Sequence, residues 1–457
     1  MIAELKAYSD FKPTGLPWLE RMPAHWNLVP NRALVRRRKQ LVGRSHHRYT
    51  LLSLTKQGVI VRDVASGKGK FSSDMGTSQE VRNGDLVFCF FDVPETPRTV
   101  GLSSNYGMIT GAYTVLEPLQ PGVAPYFELF YRAMDDSKLL SPLYSGLRNT
   151  IPVDRFLGTK TPLPPPEEQA AIVRFLEHAN CHVDRYIRAK RKQIGLLQEQ
   201  KLVIVQKRVL GGVRARPALR PSGIDWVGDI PADWDVLPTR YLFRPVTRHD
   251  ITGNEPKMSM SRHHGLVRSD VLHANRAAQA ATAVAFSVCH PGDLVMNKYQ
   301  AHSGLFGAAI ERGLITANYS VFAPTKQAFT PYFALLYTSS AYRTIFRIAS
   351  RGVGDGMMPL YTSAFHRVPS VMPPLAEQRE IVDCVVRETA GVAATIAIIE
   401  RQLQQIDEYR TRLVADVVTG QLDVRAAASS LPDLEPDTAP AEPSDDEEAS
   451  IDDGEAA

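Results

Sequence analysis

One sequence pattern occurs twice in this chain, about 208 residues apart. Gly15 to Trp26 (GLPWLERMPAHW) returns as Gly223 to Trp234 (GIDWVGDIPADW), with the glycine, both tryptophans and the proline in the same places. Three further segments repeat at nearly the same offset: Gly84-Asp85-Leu86-Val87 at Gly292-Asp293-Leu294-Val295, Pro125-Tyr126-Phe127 at Pro331-Tyr332-Phe333, and Pro164-Pro165 with Glu168-Gln169 at Pro373-Pro374 with Glu377-Gln378. Such a long period indicates a duplicated domain and not a short-repeat solenoid.

Each copy begins with short β-like runs and continues into a helix. The runs, separated by turn residues, are 48–62, 85–91 and 112–116 in the first copy and 257–268, 293–299 and 319–323 in the second. After Pro125 and Pro331, apolar residues fall at helical spacing. This pattern predicts a mixed α/β globule in each half, with the paired tryptophans anchoring its start and base stacking as their alternative role.

A long helix is expected to follow each globule. Proline-rich segments at 162–166 and 369–374 suit a helix start, and Glu167 with Glu168 complements the positive end of the helix dipole. Apolar residues then recur at coiled-coil spacing, with Lys190 and Lys201 interrupting the first copy. The predicted seam comprises Ile187, Ile194, Leu197 and Ile204 in the first copy and Ile396, Ile399, Leu403, Ile406, Leu413 and Val417 in the second. Gly211 and Gly420 are the predicted C-caps.

These elements predict an α+β fold: two similar mixed α/β globules separated by two long helices that pack on each other. If the helices pair as an antiparallel coiled coil, the globules lie at opposite ends of a rigid spacer and are related by a pseudo-two-fold axis. The expected divisions are a first globule 1–163, a first helix 164–212, a second globule 213–371, a second helix 372–424 and a tail 425–457.

Charge is distributed unevenly along the chain. The whole chain carries 53 Lys and Arg against 49 Asp and Glu, but eleven of the acidic residues and none of the basic ones follow Arg425. The remainder therefore has an excess of 15 positive charges, which suits a polyanionic partner such as nucleic acid, although ordinary solvated surface also accounts for it. The acidic, proline-rich tail is expected to be disordered.

The cysteines and the hydropathy pattern point to the cytoplasm. Cys89, Cys181, Cys289 and Cys384 lie far apart without a C-x-x-C pair, as in reduced proteins. No apolar run approaches the ~20 residues needed to span a bilayer, and the first residues lack a secretory segment.

No catalytic or metal-binding motif is recognisable. Phosphate-loop, metalloprotease, hydrolase and adenine-methyltransferase signatures are missing from the sequence. Gly352 to Gly356 (GVGDG) does not follow an apolar strand, and Asp250 with Glu255 and Lys257 matches a nuclease triplet only loosely. The pairs His46-His47 and His263-His264 lack further ligands at metal spacing, so we interpret them as polar loop residues.

Basic clusters early in each globule are the candidate DNA contacts, since Lys and Arg neutralise phosphates while Arg, Lys, Asn and Gln read base edges. Surface charge without a binding role is the alternative for each residue. The candidates are Arg36, Arg37, Arg38, Lys39, Arg44, Lys56 and Arg62 in the first half, and Arg240, Arg244, Arg248, Arg262, Lys298, Tyr299 and Gln300 in the second.

Together these motifs resemble the DNA specificity subunits of type I restriction-modification systems. The resemblance spans residues 15–424 and rests on G-x-x-W-x-x-x-x-P-x-x-W and P-P-x-x-E-Q in both copies, L-S-x-T-x-x-G-V-I-x-R at 52–62, and G-D-L-V-x-N-K-x-Q at 292–300. It implies two target recognition domains, each reading one half of a bipartite DNA sequence. It also implies that the two helices between them form an antiparallel coiled coil that sets the spacer length.

The resemblance also implies a non-catalytic chain with catalytic partners. Modification subunits that use S-adenosylmethionine to methylate adenine are expected to dock on the helices, at Glu168, Gln169, Glu377, Gln378 and the seam residues. A separate restriction subunit would use ATP and Mg, and this chain itself is expected to hold no cofactor or metal.

Two features depart from the family pattern, and two rival interpretations stay open. In the first half, Phe88-Cys89-Phe90-Phe91-Asp92 replaces the N-K-x-Q of the second, so no base-reading role carries over to those positions. The seam lysines of the first helix are expected to face a partner subunit. The rivals are a coiled-coil adaptor that binds only protein and a self-sufficient methyltransferase or restriction protein.

Overall fold

The computed structural model describes residues 5–62, 75–215, 218–249, 255–261, 265–272, 286–350 and 358–434. It divides into two compact units, Met1–Ile187 with Leu403–Ala457 and Arg188–Gln402, called unit 1 and unit 2 below. The sequence interpretation set each helix apart as its own segment. In the structure, each unit instead combines one globule with portions of both long helices.

Unit 1 is an antiparallel α/β globule. Its strands are β1 Phe11–Leu16, β2 Leu19–Pro23, β3 Asn27–Pro30, β4 Val35–Arg37, β5 Leu52–Thr55, β6 Gly58–Val61, β7 Gln79–Val81, β8 Leu86–Phe88, β9 Val100–Leu102, β10 Gly107–Ile109, β11 Thr114–Pro118 and β12 Lys160–Leu163. Helices α1 Val123–Asp136 and α2 Val153–Gly158 precede α3 Pro166–Gly211. The central sheet has the order β4-β11-β8-β9, and the pairs β1-β2, β3-β12, β5-β6 and β7-β10 surround it.

Unit 2 repeats this topology strand for strand. Its strands are β13 Leu219–Pro221, β14 Asp229–Pro231, β15 Asp235–Pro238, β16 Phe243–Val246, β17 Met258–Ser261, β18 Gly265–Arg268, β19 Phe286–Cys289, β20 Leu294–Asn297, β21 Phe306–Ala308, β22 Gly313–Thr316, β23 Tyr319–Pro324 and β24 Pro369–Met372. Its helices are α4 Ser269–Leu272, α5 Thr330–Thr338, α6 Ser340–Ala349 and α7 Thr362–Phe365, followed by α8 Leu375–Val418. The central sheet has the order β16-β23-β20-β21, so the duplication predicted from sequence is a duplicated fold.

The repeated Gly-Asp-Leu-Val segment forms the strand that divides each unit into two cores. In β8, Leu86 and Phe88 join the core that contains Trp26, while Val87 joins a smaller core with Leu52. Alternate side chains of a strand point to opposite faces, so a strand buried on both faces reads as continuously apolar. The same division recurs in β20, where Leu294 and Met296 face one core and Val295 faces the other.

The long helices run antiparallel within each unit and are continuous through Asn180 and Gly391. In unit 1, Arg410 of α8 donates to Asn180 Oδ1 at 3.0 Å and Asp184 Oδ1 at 2.9 Å on α3. In unit 2, Arg208 Nε of α3 donates to Glu388 Oε2 of α8 at 3.0 Å. Every predicted seam residue is buried or half-buried, whereas the neighbouring Leu196, Val203 and Ile398 are exposed. The predicted seam is therefore a buried stripe in the structure.

The helix ends correct one predicted cap. Gly212 (φ +74°), and not Gly211, takes the left-handed conformation after α3, as Gly420 (φ +73°) does after α8. A Cβ on Gly212 would lie 2.8 Å from Glu377 Oε1 and 3.1 Å from the Trp234 ring. The glycine at each helix end is thus required both by its backbone conformation and by the close approach of an indole.

The predicted disordered tail starts too early. Residues 425–434 belong to the described structure: α9 Arg425–Ser429 follows α8, Ala428 is buried in the core of unit 1, and Arg174 donates to Leu431 O at 2.6 Å. This segment is apolar and alanine-rich, so composition averaged over the whole tail concealed its packing. Residues 435–457, which carry most of the tail's acidic side chains, lie outside the described residues.

Replacing Gly212 with alanine should destabilise the protein. The left-handed conformation costs an L-residue about 1–2 kcal/mol, and the added methyl must also displace Glu377 or Trp234. The matched control is Gly195→Ala in the same helix, where nothing lies within 4 Å of the new Cβ and helix propensity favours alanine by up to ~1 kcal/mol. Thermal unfolding of the two variants should give midpoint shifts of opposite sign; equal shifts would contradict this account of the cap.

Candidate nucleic-acid interface

A buried hydrogen bond joins the start of each globule to the start of its long helix. The second tryptophan of the opening motif donates its indole N–H to the glutamate of the Pro-Pro segment: Trp26 Nε1 lies 2.9 Å from Glu168 Oε1, and Trp234 Nε1 lies 3.0 Å from Glu377 Oε2. Both indoles are fully buried. These contacts hold the scaffold from which the basic side chains project, and they give the tryptophans the anchoring role predicted for them.

The glutamates and glutamines named as docking candidates are used inside the units. Glu168 also accepts from Tyr8 Oη at 2.5 Å and contacts His25 Nε2 at 2.8 Å. Burial and the adjacent Glu168 carboxylate raise the pKa of Tyr8. Gln169 Nε2 donates to Pro164 O, and Gln378 Nε2 lies 2.9 Å from both Gln327 O and Pro373 O. Because these side chains are buried or nearly so, the structure assigns them to the fold and not to an exposed docking surface.

The first basic cluster separates into cations with and without carboxylate partners. Residues 31–62 contain nine Lys and Arg and no Asp or Glu. Arg38 forms a two-point ion pair with the buried Asp85, at 2.9 Å from Nε to Oδ2 and 3.0 Å from Nη2 to Oδ1. The hydrogen bond to Asp85 raises the pKa of Arg38. Arg36 pairs with Glu117 on the neighbouring strand β11. Arg36 and Arg38 are therefore neutralised by partners that are remote in sequence.

The unpaired cations lie on β4 and the segment that follows it. Arg37, Lys39, Arg44 and Arg48 are exposed and, within the described part of unit 1, have no carboxylate partner. Such cations keep their full charge available to a phosphate, which makes this surface a candidate for DNA contact.

The last two candidates of unit 1 lie on the β5–β6 hairpin. Lys56 is exposed in the turn between the two strands. Arg62 is half-buried at the end of β6, and its backbone N–H donates to Leu51 O at 2.9 Å. Lys56 is therefore the more accessible of the two to a ligand in solution.

Two neighbouring tyrosines, whose rings are tilted by 31° to each other, adjoin the unpaired cations, and sequence reasoning had not singled them out. The rings of Tyr49 and Tyr106 lie 5.5 Å apart, and Tyr106 is 55% exposed. The hydrogen bond that the Tyr49 hydroxyl forms with Tyr106, together with partial burial and the Glu80 carboxylate, raises the pKa of Tyr49 to about 12. Tyr49 directly follows the 3₁₀ helix Gly43–Arg48 that carries Arg44. Aromatic faces beside cations are common in nucleic-acid interfaces.

Unit 2 shows the same division of its basic residues. Arg248 pairs with the buried Asp293, 2.5 Å from Nη1 to Oδ2, as Arg38 pairs with Asp85. Arg244 is exposed on β16, and Arg240 stacks over the exposed Tyr241 ring at 4.9 Å. Arg262 lies outside the described residues. Arg240 and Arg244 thus stay candidates, whereas Arg248 acts within the fold.

The predicted reading segment of unit 2 follows the C-terminal end of β20, an interior strand of the central sheet. Buried Asn297 accepts the backbone N–H groups of Tyr299 and Gln300 through Oδ1, at 3.1 and 3.2 Å, and so shapes the turn. Lys298 is half-buried without a carboxylate partner in the described structure, and partial burial lowers its pKa. Tyr299 is exposed and Gln300 half-buried. A desolvated, unpaired ammonium would gain from an anionic ligand.

The described residues contain no group of three or more His, Cys, Asp or Glu arranged to hold a metal ion. All four cysteines are free thiols, and burial raises the pKa of Cys89 and Cys289. Gly352 to Gly356, Asp250 and the pair His263-His264 lie outside the described residues. In the part of the chain that the structure covers, no helix is long and apolar enough to cross a membrane.

The fold of this chain resembles that of a solved structure. No family model and no curated protein sequence matches this chain. A chain from a structure of the type I R-M system, described for its complex assembly and conformational transition, aligns with a TM-score of 0.53 and 14% identity, over 88% of this chain and 99% of that one.

Two crystal structures align at lower scores: the HsdS subunit from Thermoanaerobacter tengcongensis (TM-score 0.36, 14% identity) and the type-I restriction-modification system S subunit from M. genitalium (TM-score 0.33, 10% identity). Each covers 88% of this chain and 98% of its own. The first alignment shows that this chain shares the fold of that protein.

Arg38 and Arg37 should respond differently to truncation. Arg38→Ala leaves the buried Asp85 carboxylate without its cation, and removing one partner of a buried pair costs about 3 kcal/mol or more of unfolding free energy. Arg37→Ala removes an exposed, unpaired cation and should stay within about 0.5 kcal/mol of the unsubstituted protein. Thermal unfolding would measure both. Equal destabilisation by the two variants would show that the Arg38–Asp85 pair has no special structural role.

Proposed function

We propose that this chain is the DNA specificity subunit of a type I restriction-modification complex. In this proposal each unit reads one half of a bipartite target, and partner subunits methylate adenine or cut the DNA. The observation that carries it is the repetition of one fold in which each copy presents unpaired cations beside exposed tyrosine side chains. Two similar reading surfaces in one chain suit a target with two similar parts.

The distribution of paired and unpaired cations supports DNA as the ligand. Arg38 and Arg248 are neutralised by buried aspartates, so they contribute to folding. Exposed cations without such partners release counterions when they meet phosphates, which supplies affinity without sequence preference. Specificity needs contacts to base edges, for which Arg, Lys and Gln are suitable donors. Lys298 and Gln300 are therefore the proposed base-reading residues of unit 2, with Tyr299 beside them.

The outer faces of the helices are the proposed docking surface for modification subunits. In unit 2, Leu196 and Val203 are seven residues apart on α3 and therefore lie on one face, and both are exposed, as are Val386 and Ile398 on α8. Exposed apolar side chains on the outside of a helix pair suit a protein partner. This surface replaces Glu168, Gln169, Glu377 and Gln378, whose side chains serve the fold.

The partners would supply the chemistry in this proposal. The modification subunits would bind S-adenosylmethionine, and a restriction subunit would use ATP and Mg, so this chain would act in the cytoplasm without a cofactor of its own. The exposed apolar helix faces also fit the rival function of an adaptor that binds only protein. DNA binding that depends on the cations of the globules distinguishes the two functions.

Genome-wide adenine methylation should depend on this gene. Single-molecule sequencing of cells with and without the gene should show loss of methylation at one split sequence, because the subunit directs modification to two half-sites with unspecified bases between them. Restoring the gene should restore that sequence alone. Unchanged methylation in cells that express the partner subunits would count against the proposal.

Salt dependence should report the phosphate contacts of unit 1. A triple substitution of Arg37, Lys39 and Arg44 with alanine should reduce the slope of log K against log salt concentration by about 1 for each phosphate that is no longer neutralised. Binding of the assembled complex to target duplex, titrated at several salt concentrations, gives the slope. The matched control is Arg174→Ala, which removes an exposed arginine paired with Asp433. If the triple variant and the control have the same slope as the unsubstituted complex, these cations do not contact DNA.

A further inference from the structure

The strand end that offers Lys298 in unit 2 offers no cation in unit 1. At the equivalent positions after β8, Cys89 and Phe90 are buried, and Phe90 packs against Phe88 and Phe156 at ring distances of 5.0 and 4.8 Å. These side chains cannot reach a base edge. If unit 1 reads a half-site as unit 2 does, another element must bring polar groups to the C-terminal end of β8.

A hairpin between the 3₁₀ turn Ser141–Leu143 and α2 lies beside the C-terminal end of β8. Ser145 and Thr150 pair antiparallel, and the residues between them, Gly146 to Asn149, form its tip. Directly after the hairpin, Ile151 N donates to Phe90 O at 2.8 Å. The equivalent bond in unit 2 joins Leu360 N to Lys298 O, also at 2.8 Å. The hairpin of unit 1 is therefore tied to the strand position that Lys298 occupies in unit 2.

The hairpin carries an arginine that an aspartate of the strand end holds in place. Arg148 Nε lies 3.2 Å from Asp92 Oδ1, and its Nη2 lies 2.6 Å from Asp92 Oδ2. Asp92 N in turn donates to Arg148 O at 3.0 Å. Even so, the Arg148 side chain is 73% exposed, and Leu147 beside it is fully exposed. The guanidinium is thus oriented without being covered.

The backbone next to the Arg148–Asp92 ion pair is left-handed in both segments. Of the non-glycine residues that the structure describes, Asp92 (φ +46°), Asn149 (φ +44°) and Lys138 have positive φ. Asp92 is one partner of the Arg148–Asp92 ion pair, and Asn149 directly follows the other. After glycine, Asp and Asn are the residues that adopt this conformation most readily, because their short polar side chains form local hydrogen bonds. Residues suited to a fixed turn therefore lie on both segments of the chain that carry the Arg148–Asp92 ion pair.

We propose that Arg148 is a base-reading residue of unit 1 and that Asp92 is its positioning residue. Asp92 accepts hydrogen bonds from Nε and from one hydrogen of Nη2. The second Nη2 hydrogen and the Nη1 hydrogens stay available as a two-pronged donor. Such a fork matches the O6 and N7 acceptors of guanine in the major groove, so the ligand is a guanine in one half-site. This inference rests on the proposed function, and it explains how unit 1 reads DNA without the N-K-x-Q segment.

The test compares methylated sequences in cells that carry Arg148→Ala, Arg148→Lys, Asp92→Asn or Lys298→Ala in place of the unsubstituted gene. Arg148→Ala should relax one guanine position of one half-site, with discrimination there falling about 10- to 100-fold. Lys298→Ala should alter only the other half-site. Arg148→Lys keeps the charge but not the planar fork, so it should lose the same discrimination while methylation persists. Asp92→Asn should weaken discrimination at the same base pair, because the guanidinium loses its orientation.

Controls separate this inference from folding and from the proposed function. Arg174→Ala should leave the methylated sequence unchanged. Thermal unfolding of each variant shows whether it folds. If Arg148→Ala does not fold, Arg148→Lys still tests the inference. Unchanged recognition in the Arg148 variants, or changes by Arg148 and Lys298 variants in the same half-site, would overturn the inference while leaving the proposed function intact. If the unsubstituted gene directs no bipartite methylation, both fail together.

Discussion

The hydrogen bond from a buried tryptophan to the first-turn glutamate of the long helix is the interaction on which each unit depends. It joins residues 142 or 143 apart in the chain, Trp26 to Glu168 and Trp234 to Glu377. A buried carboxylate is costly unless donors satisfy it, and the helix N-terminus adds a favourable field. The indole surface also receives the glycine that ends the other long helix. Three remote segments of the chain therefore meet at one side chain.

The two copies satisfy this carboxylate in different ways. In unit 1, Tyr8 and His25 supply the remaining contacts to Glu168. In unit 2, Arg214 contacts Glu377 while also pairing with Asp233, which stands where His25 stands in the first copy. The geometry of the junction is maintained although the residues around it differ. Under the proposed function, this divergence around a maintained junction would allow the two units to read different half-sites.

Local sequence patterns predicted the strands and the long helices. They could not predict which residues remote in sequence pair with each other. The Gly-Asp-Leu-Val repeat predicted a strand, and the spacing of Ile399 and its neighbours predicted the helix seam, because both patterns are short-range. Nothing in the run Arg36 to Lys39 shows that Arg38 pairs with an aspartate 47 residues away while Arg37 does not. The equal offsets of the tryptophan and glutamate repeats were a usable signal of their contact, but the same repeat was also compatible with an exposed docking motif.

Neither copy of the repeat supplies all of its own unit. Tyr126 Oη of unit 1 lies 3.0 Å from Val418 O at the end of α8, and Tyr332 Oη of unit 2 lies 2.9 Å from Val209 O near the end of α3. Burial raises the pKa of both hydroxyls, so each remains a neutral donor that satisfies a terminal helix carbonyl. Each globule thus recognises the end of the helix that begins in the other half of the sequence. Because of this exchange, each long helix belongs to the packing of both units: α3 begins in unit 1 and ends in unit 2, whereas α8 begins in unit 2 and ends in unit 1.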